Sequence, residues 1–180
     1  MSPQFTPFPA PRLWSEKISP NFTVSEFSVS GSHPRLASSL PRPLLPNALA
    51  LAMWVLEPIR TAHGGFPISI TSSFRNAALN KAVGGSSTSQ HLTATAADIT
   101  CADIEGLCQA MLSLVENDQL PGAGQLIYYP EQRFIHVALR SNKYPFPQVH
   151  VHAPRLGLTY ARVKPTWEHI TALTSGVTLA

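Results

Sequence analysis

The spacing of hydrophobic positions changes from one region of the chain to the next and predicts alternating helices and strands. Between Asn47 and His63, apolar residues recur every three or four positions, which is typical of an amphipathic helix. Asn47 is the expected N-cap of this helix, and the Gly64-Gly65 pair is expected to end it. Residues 75–83 predict a second helix, which stops at another glycine pair.

Five short stretches with β-branched or alternating apolar residues predict strands. In chain order they cover residues 67–71, 96–100, 125–129, 134–139 and 148–152. A third helix, capped by Thr100 or Asp103, lies between the second and third of these strands. Helices thus precede a mostly antiparallel set of strands. This order predicts an α+β fold in which helices pack on a small antiparallel sheet.

The length and the proline distribution set the domain organisation. A chain of 180 residues favours one domain with one core. Residues 1–20 contain five prolines and predict an extended N-terminal arm, followed by a single domain over residues 21–180. The first residues lack a basic region followed by an apolar core, so no signal peptide is expected.

Composition excludes several classes of protein. Hydrophobic residues make up 44% and charged residues 13%, which indicates a globular chain and not a disordered one. The net charge is +3 without a basic stripe, so we expect no nucleic-acid partner, and no stretch is long enough to span a membrane. Cys101 and Cys108 form no CxxC pair, and Cys108 is expected to be a buried thiol.

The stretch SQHLTATAADIT, residues 89–100, places His91 and Asp98 among small residues with no other charge nearby. Imidazole and carboxylate are the usual ligands of zinc hydrolases, which need three protein ligands and one open position. His136 is a candidate third ligand, because the alternating pattern of RFIHVAL puts it on one strand face with Phe134 and Ala138.

Other histidines keep the ligand set open at this point. His150 and His152 also share one strand face and form an alternative to His136. His33, His63 and His169 lie in loops or at helix ends and make weaker candidates. From the residues alone, the same polar groups could also bond to one another in a metal-free core.

Longer motifs resemble a known family. The run PISITSSFRNAALNKAVGGSSTSQHLTATAADI (67–99) is similar to zinc D-Ala-D-Ala carboxypeptidases and L-Ala-D-Glu endopeptidases, within the wider group of lysostaphin-type and Hedgehog-like zinc folds. The family pattern there is S-G-Y-R-S, then L-N, A-V-G-G-S and S-x-H-x-x-G-x-A-A-D. The segments NFTVSEF (21–27), LEPIR (56–60) and GQLIYYPEQRFIHVALR (124–140) also resemble the family, so the likeness covers most of the chain.

The resemblance implies a Hedgehog/DD-peptidase-like fold and a role for individual residues. His91, Asp98 and His136 would hold Zn²⁺. Arg75 would bind a substrate carboxylate or carbonyl oxygen and stabilise developing negative charge. Ser89 would contact substrate beside the metal, or simply close the turn before the first ligand. The implied activity is hydrolysis of an amide bond in the peptidoglycan peptide stem, by a monomer, through a zinc-activated water.

Two positions depart from the family pattern. Ala94 replaces a glycine between the ligands, so a positive backbone torsion there would be strained. Many relatives carry an acid three residues before the last ligand, where this chain has Arg133, which cannot act as a base. Glu131 is the nearest acid and the expected general base, or else a solvated turn residue. His150 or His152 is the alternative proton carrier.

Compact chains of this kind without a signal peptide resemble phage-encoded lysis enzymes or virion-associated enzymes that act on the periplasmic cell wall. The missing acid at position 133 leaves a second hypothesis. In that hypothesis the chain is a non-catalytic wall-binding or virion structural module that retains the fold.

Overall fold

The computed structural model describes residues 16–164 and 166–175. Its α-helices are α1 (Leu45–Leu51), α2 (Glu57–Ala62), α3 (Ala77–Ala82), α4 (Ile104–Glu116) and α5 (Trp167–Thr174). Its strands are β1 (Ser69–Ser72), β2 (Ala96–Thr100), β3 (Ala123–Tyr129), β4 (Phe134–Leu139), β5 (Gln148–Ala153) and β6 (Leu158–Arg162). Short 3₁₀ turns connect several of these elements, and the one at Gln90–Thr93 matters most for the site.

All six strands form one sheet in the order β1-β2-β4-β3-β5-β6. Neighbouring strands are antiparallel except β3 and β5, which run parallel. The parallel pair arises because the chain crosses over after β4 and adds β5 to the free side of β3 rather than to β4. The predicted α+β class is therefore confirmed, while the sheet is mixed and not wholly antiparallel.

The two faces of the sheet have different roles. Ile99, Val137, Leu126 and Val151 point into the hydrophobic core. Because successive side chains alternate between faces, the residues between them lie on the opposite face. That opposite face carries the polar residues Asp98, His136 and His150, and it borders a large cleft.

Helices α1 and α2 are joined by a π-helical segment, Ala52–Leu56, in one continuous helix. Pro58 lies in the first turn of α2, lacks an amide hydrogen and crowds the preceding turn, which accounts for the widened segment. The predicted N-cap is wrong, because the helix begins at Leu45. The Asn47 side chain instead donates a hydrogen bond of 2.9 Å to the carbonyl of Thr93.

The next two helices begin at side-chain caps. Asn76 accepts a hydrogen bond from the Leu79 amide, so α3 starts just after it, two residues later than predicted. Asp103 caps α4 through the Gly106 amide, which decides between the two caps proposed from the sequence. Thr100 instead bonds the carbonyl of Arg133 and holds the β3–β4 turn.

Residues 16–20 of the predicted arm pack on the domain. Ser19 and Asn21 both donate hydrogen bonds to the carboxylate of Glu57 on α2. Residues 1–15 lie outside the described part of the chain, so the arm and its boundary with the domain stay predictions.

Strand β6 and helix α5 were not predicted. The side chains of β6 are largely exposed, and its short LTYAR sequence lacks the buried alternation that marks the other strands. Cys101 and Cys108 are free, and Cys108 is buried as expected. Within residues 16–164 and 166–175, no helix has the length and hydrophobicity needed to cross a bilayer.

Candidate metal centre

Strand register brings Asp98 and His136 together. The two residues are direct partners across the antiparallel β2–β4 pair, so their side chains lie on the same face of the sheet. Oδ1 of Asp98 lies 2.9 Å from Nδ1 of His136. Although 38 residues separate them in the sequence, they form the base of one polar site.

His91 reaches this site from the 3₁₀ turn Gln90–Thr93. Its Nδ1 donates a hydrogen bond of 2.7 Å to the buried carbonyl of Ser73, which leaves Nε2 free as a ligand atom. The turn is held by hydrogen bonds from Asn47 to Thr93 and from Gln90 to Leu139. The position of His91 is thus fixed by both the long helix and the sheet.

Ala94 reverses the chain between the turn and β2. Its backbone adopts φ 56° and ψ 29°, the left-handed conformation that glycine tolerates and alanine does not favour. The departure from the family glycine therefore falls at a residue with positive φ, the case in which the sequence analysis expected strain. This reversal of the chain brings the Asp98 carboxylate close to the His91 imidazole.

The three candidate ligand atoms lie at the corners of a small triangle. His91 Nε2 is 3.3 Å from His136 Nδ1 and 3.4 Å from Asp98 Oδ1, and the third side is 2.9 Å. Tetrahedral zinc with bonds of about 2.0–2.1 Å separates its ligand atoms by about 3.3–3.4 Å. The two separations that involve His91 match this spacing, while the Asp98–His136 separation is about 0.4 Å shorter. Two imidazoles and a carboxylate are a donor set that zinc takes. All three residues also line the cleft, so the fourth position faces it.

Protonation states favour metal binding. Burial raises the pKa of Asp98, but attraction to His91 and the hydrogen bonds of both imidazoles outweigh burial and hold that pKa well below its ordinary range. Burial lowers the pKa of His136, which its hydrogen bond to Asp98 only partly opposes. The result is an ionised carboxylate beside a neutral imidazole, the forms that bind a metal ion.

Arg75 supports the carboxylate from the side away from the imidazoles. Its Nη2 lies 2.5 Å from Asp98 Oδ2, and its Nε donates a hydrogen bond of 3.0 Å to Ser72. The guanidinium thereby fixes the carboxylate so that Oδ1 points to the two histidines. Its Nη1 forms no hydrogen bond to the described residues, and Arg75 is one of the residues that line the cleft.

The cleft has a volume of about 950 Å³ and gathers most of the predicted site residues. Arg75, His91, Asp98, His136 and Ser89 all line it. The Ser89 hydroxyl also accepts a hydrogen bond of 3.4 Å from the His91 amide, so the capping role and the cleft position occur together.

Glu131 lies in the β3–β4 turn and is not among the cleft-lining residues. Its carboxylate accepts a hydrogen bond of 3.0 Å from the Arg155 amide and lies 3.6 Å from Arg155 Nε. The side chain is thus tied to the segment after β5. Its role as a base stays a prediction of the resemblance.

Among the other histidines, only His150 joins the cleft. The single group of His, Cys, Asp and Glu able to hold a metal within residues 16–164 and 166–175 is His91, Asp98 and His136. His152 lies beside Tyr129 and Tyr160 instead, with ring centroids 5.1 and 4.3 Å away.

One wall of the cleft was not predicted from the sequence. The turn Ser141–Tyr144, with Gln125 beside it, contributes polar groups there. This turn follows β4 without any periodic pattern, and only the crossover to β5 brings it over the sheet. No sequence signal could have located it.

The α+β fold thus places two imidazoles and one carboxylate on the wall of a cleft, as a group that could hold one metal ion. Residues 20–138, about two thirds of the chain, match the model of the peptidase M15 family. The chain therefore belongs to the peptidase M15 family, which confirms the family inferred from the sequence.

One curated relative matches a shorter segment. Over 62 residues the chain is 42% identical to the zinc D-Ala-D-Ala carboxypeptidase of Streptomyces albus G. The match covers 34% of this chain and 24% of that relative. The chain thus spans about a quarter of the relative's length, so the relative's whole activity does not transfer with the match.

Proposed function

We propose that this chain is a zinc-dependent peptidoglycan peptidase. Its substrate is an amide bond in the wall peptide stem, of the D-Ala-D-Ala or L-Ala-D-Glu type. One observation carries the proposal. Nε2 of His91, Oδ1 of Asp98 and Nδ1 of His136 lie 2.9–3.4 Å from one another on the wall of the cleft.

Zinc is the metal that these three residues would hold. A zinc ion bound there supplies a Lewis acid and lowers the pKa of water to about 7, which provides a nucleophile at neutral pH. The family and the name of the Streptomyces albus G relative support this choice.

Arg75 has two roles in this proposal. Its contacts to Asp98 and Ser72 use Nη2 and Nε and lock the guanidinium in place. The remaining Nη1 donors can bind the carbonyl oxygen of the scissile amide as negative charge develops on it. Arginine suits this role because it stays charged and offers a rigid fork of donors.

Glu131 and His150 are the candidate groups for moving the proton. Glu131 is the acid that the resemblance implies, and its bond to Arg155 must open before it can serve. Burial raises the pKa of Tyr129 on the cleft wall, so its hydroxyl stays protonated, can donate a hydrogen bond and does not serve as a general base. The imidazole of His150 is the other candidate in the cleft.

A non-catalytic wall-binding or virion module is the second candidate function. Arg133 at the usual position of the acid favours it, as does the contact of Glu131 with Arg155. A phage source stays a prediction of the resemblance.

Digestion of purified peptidoglycan distinguishes these two functions. We expect the zinc-loaded wild type to release new amino groups and His91→Ala to release none, while His33→Ala, outside the cleft, serves as the matched control. Mass spectrometry of the released peptides identifies the bond. Wall binding by the wild type without new amino groups would reject the peptidase and support the module.

A further inference from the structure

The cleft has a second polar region on the β3–β5 side, away from the metal ligands. Two basic residues line the cleft on this side: His150 from β5, and Lys143 from the turn Ser141–Tyr144, with its ammonium 5.2 Å from the centroid of the Tyr144 ring. Lys143 has no carboxylate partner within the described residues, and the only carboxylate among the cleft-lining residues, Asp98, is already bound by the imidazoles and by Arg75. This part of the cleft therefore carries positive charge that no neighbouring acid neutralises.

Lys143 is presented by a turn that is held tightly on the sheet. Backbone hydrogen bonds of 3.0 Å run in both directions between Ser141 and Tyr144. The Gln125 side chain donates a further hydrogen bond of 3.0 Å to the Tyr144 hydroxyl. At Gly124, an added Cβ would lie 2.7–2.8 Å from the backbone of residues 139–144, so only glycine lets the turn pack this closely. The lysine thus extends from a fixed base.

His150 is the second member of this region. It lies opposite Ile127 on β3, which in turn lies opposite His136 on β4, so the three residues form one row across the sheet. Its Nδ1 is buried without a hydrogen-bond partner. Its Nε2 also forms no hydrogen bond to the described residues and is the ring nitrogen left for a ligand.

We propose that Lys143 and His150 form a subsite for a substrate carboxylate one residue away from the scissile amide. This inference rests on the proposed peptidase function and specifies which peptides the cleft accepts. An ammonium group and an imidazole N–H both donate hydrogen bonds, and a carboxylate accepts several at once.

The dimensions agree with this assignment. His150 is two strands from His136, a distance of about 10 Å at the usual strand spacing. Adjacent residues of a peptide lie about 3.8 Å apart, and a hydrogen bond at each end adds about 3 Å. A carboxylate one residue from an amide held at the metal ligands therefore reaches His150.

Two acetylated peptides ending in D-Ala-D-Ala, one with a free carboxylate and one with a terminal carboxamide, test the subsite. We expect the wild type to prefer the free acid by about tenfold in kcat/KM, as one charge-assisted contact allows. Lys143→Met should raise KM for the acid about fivefold or more while leaving the carboxamide rates within about twofold. His150→Gln should lower the ratio of acid to carboxamide cleavage about fivefold, and this ratio reports the subsite even if both rates change. Lys164→Met and His169→Gln, outside the cleft, are the matched controls.

The result can overturn the subsite and leave the peptidase intact. An equal loss on both peptides in Lys143→Met would reject the inference alone, and equal cleavage of both by the wild type would exclude the terminal D-Ala carboxylate as its ligand. If neither peptide is cleaved, binding of each peptide to the zinc-loaded protein is measured by NMR titration. Tighter binding of the acid that Lys143→Met abolishes supports the subsite without the proposed activity, and equal binding excludes the terminal carboxylate.

The carboxylate has two possible sources in the stem, a terminal D-Ala or the D-Glu residue. An L-Ala-D-Glu peptide with free carboxylates, compared with its fully amidated form, tests the second source. A Lys143-dependent preference in this pair assigns the subsite to D-Glu, and one restricted to the D-Ala-D-Ala pair assigns it to the chain terminus. Absence of a preference in both pairs rejects the subsite.

Discussion

Asp98 and His136 face each other across β2 and β4, and the carboxylate and imidazole meet at 2.9 Å. A shift of either strand by one residue would turn its polar side chain into the core and remove the site. The core residues Ile99 and Val137, on the opposite face of the same strands, oppose such a shift because it would expose them. Packing of the core therefore maintains the metal centre.

Metal content distinguishes the two candidate third ligands. The wild type should bind about one zinc per chain. His136→Ala should lower the affinity for zinc at least about 100-fold, because removing a residue that merely hydrogen-bonds to a ligand already costs about 10–100-fold. The double variant of His150 and His152 to alanine should keep its zinc. Metal analysis after dialysis measures both, and zinc loss only in the double variant would reject this ligand set.

Replacing Arg75 by lysine keeps the charge but removes the fork that joins Asp98 to Ser72. We expect kcat/KM for wall peptides to fall about 100-fold, as for the loss of one donor to a developing oxyanion. Arg140→Lys, outside the cleft, should change it less than about twofold. An unchanged kcat/KM in Arg75→Lys would show that the guanidinium of Arg75 does not contribute to hydrolysis.

Glu131→Gln tests the general base directly. Because its carboxylate is held by Arg155, we expect wall hydrolysis to stay within about twofold of the wild type. A loss of about 100-fold or more, with zinc content unchanged, would instead identify Glu131 as the proton carrier. His150→Gln, measured beside it, shows whether the imidazole takes this role.

Ala94→Gly relieves a left-handed alanine. Ala94 and Ala123 are both fully buried, and only Ala94 has positive φ. Both glycine variants lose a buried methyl and gain unfolded-state entropy, but the left-handed strain of about 1 kcal/mol is relieved at Ala94 alone. The free energy of unfolding from urea titration should therefore fall about 1 kcal/mol less for Ala94→Gly than for Ala123→Gly. Equal losses would show that the alanine is unstrained.

Glu57 should make the docking of residues 16–21 dependent on pH. Burial raises the pKa of Glu57, but hydrogen bonds from Asn21 and Ser19 outweigh burial and lower it below its ordinary value. A carboxyl with a lowered folded pKa stabilises the fold above its unfolded pKa, and this stabilisation is lost as pH falls through the folded value.

Glu57→Gln should therefore cost about 1–2 kcal/mol of unfolding free energy at about pH 7 and less at about pH 3, because the stabilisation is lost as pH falls through the lowered folded pKa. Unfolding titrations at both pH values measure the difference. Glu116→Gln, at an exposed glutamate without a hydrogen bond to the described residues, is the control. A pH-independent cost at Glu57 would show that the carboxylate charge contributes nothing.

Local patterns in the sequence determined much of this protein. The bounds of β2 and β4 and the face of β4 that carries His136 follow from the periodicity of apolar residues, which depends only on neighbouring residues. The ligand set came from ordered motifs of the peptidase M15 family, whose model covers residues 20–138. Neither inference required knowledge of distant contacts.

Tertiary structure decided which distant groups meet. The crossover that places β5 beside β3 brings His150 into the cleft. The turn that carries Lys143 lies within this crossover and also lines the cleft. The contact between Glu131 and Arg155 likewise joins two segments 24 residues apart. Sequence patterns report the face on which a side chain lies, but the partner across the sheet depends on strand order and register. Those are fixed only when the whole core packs.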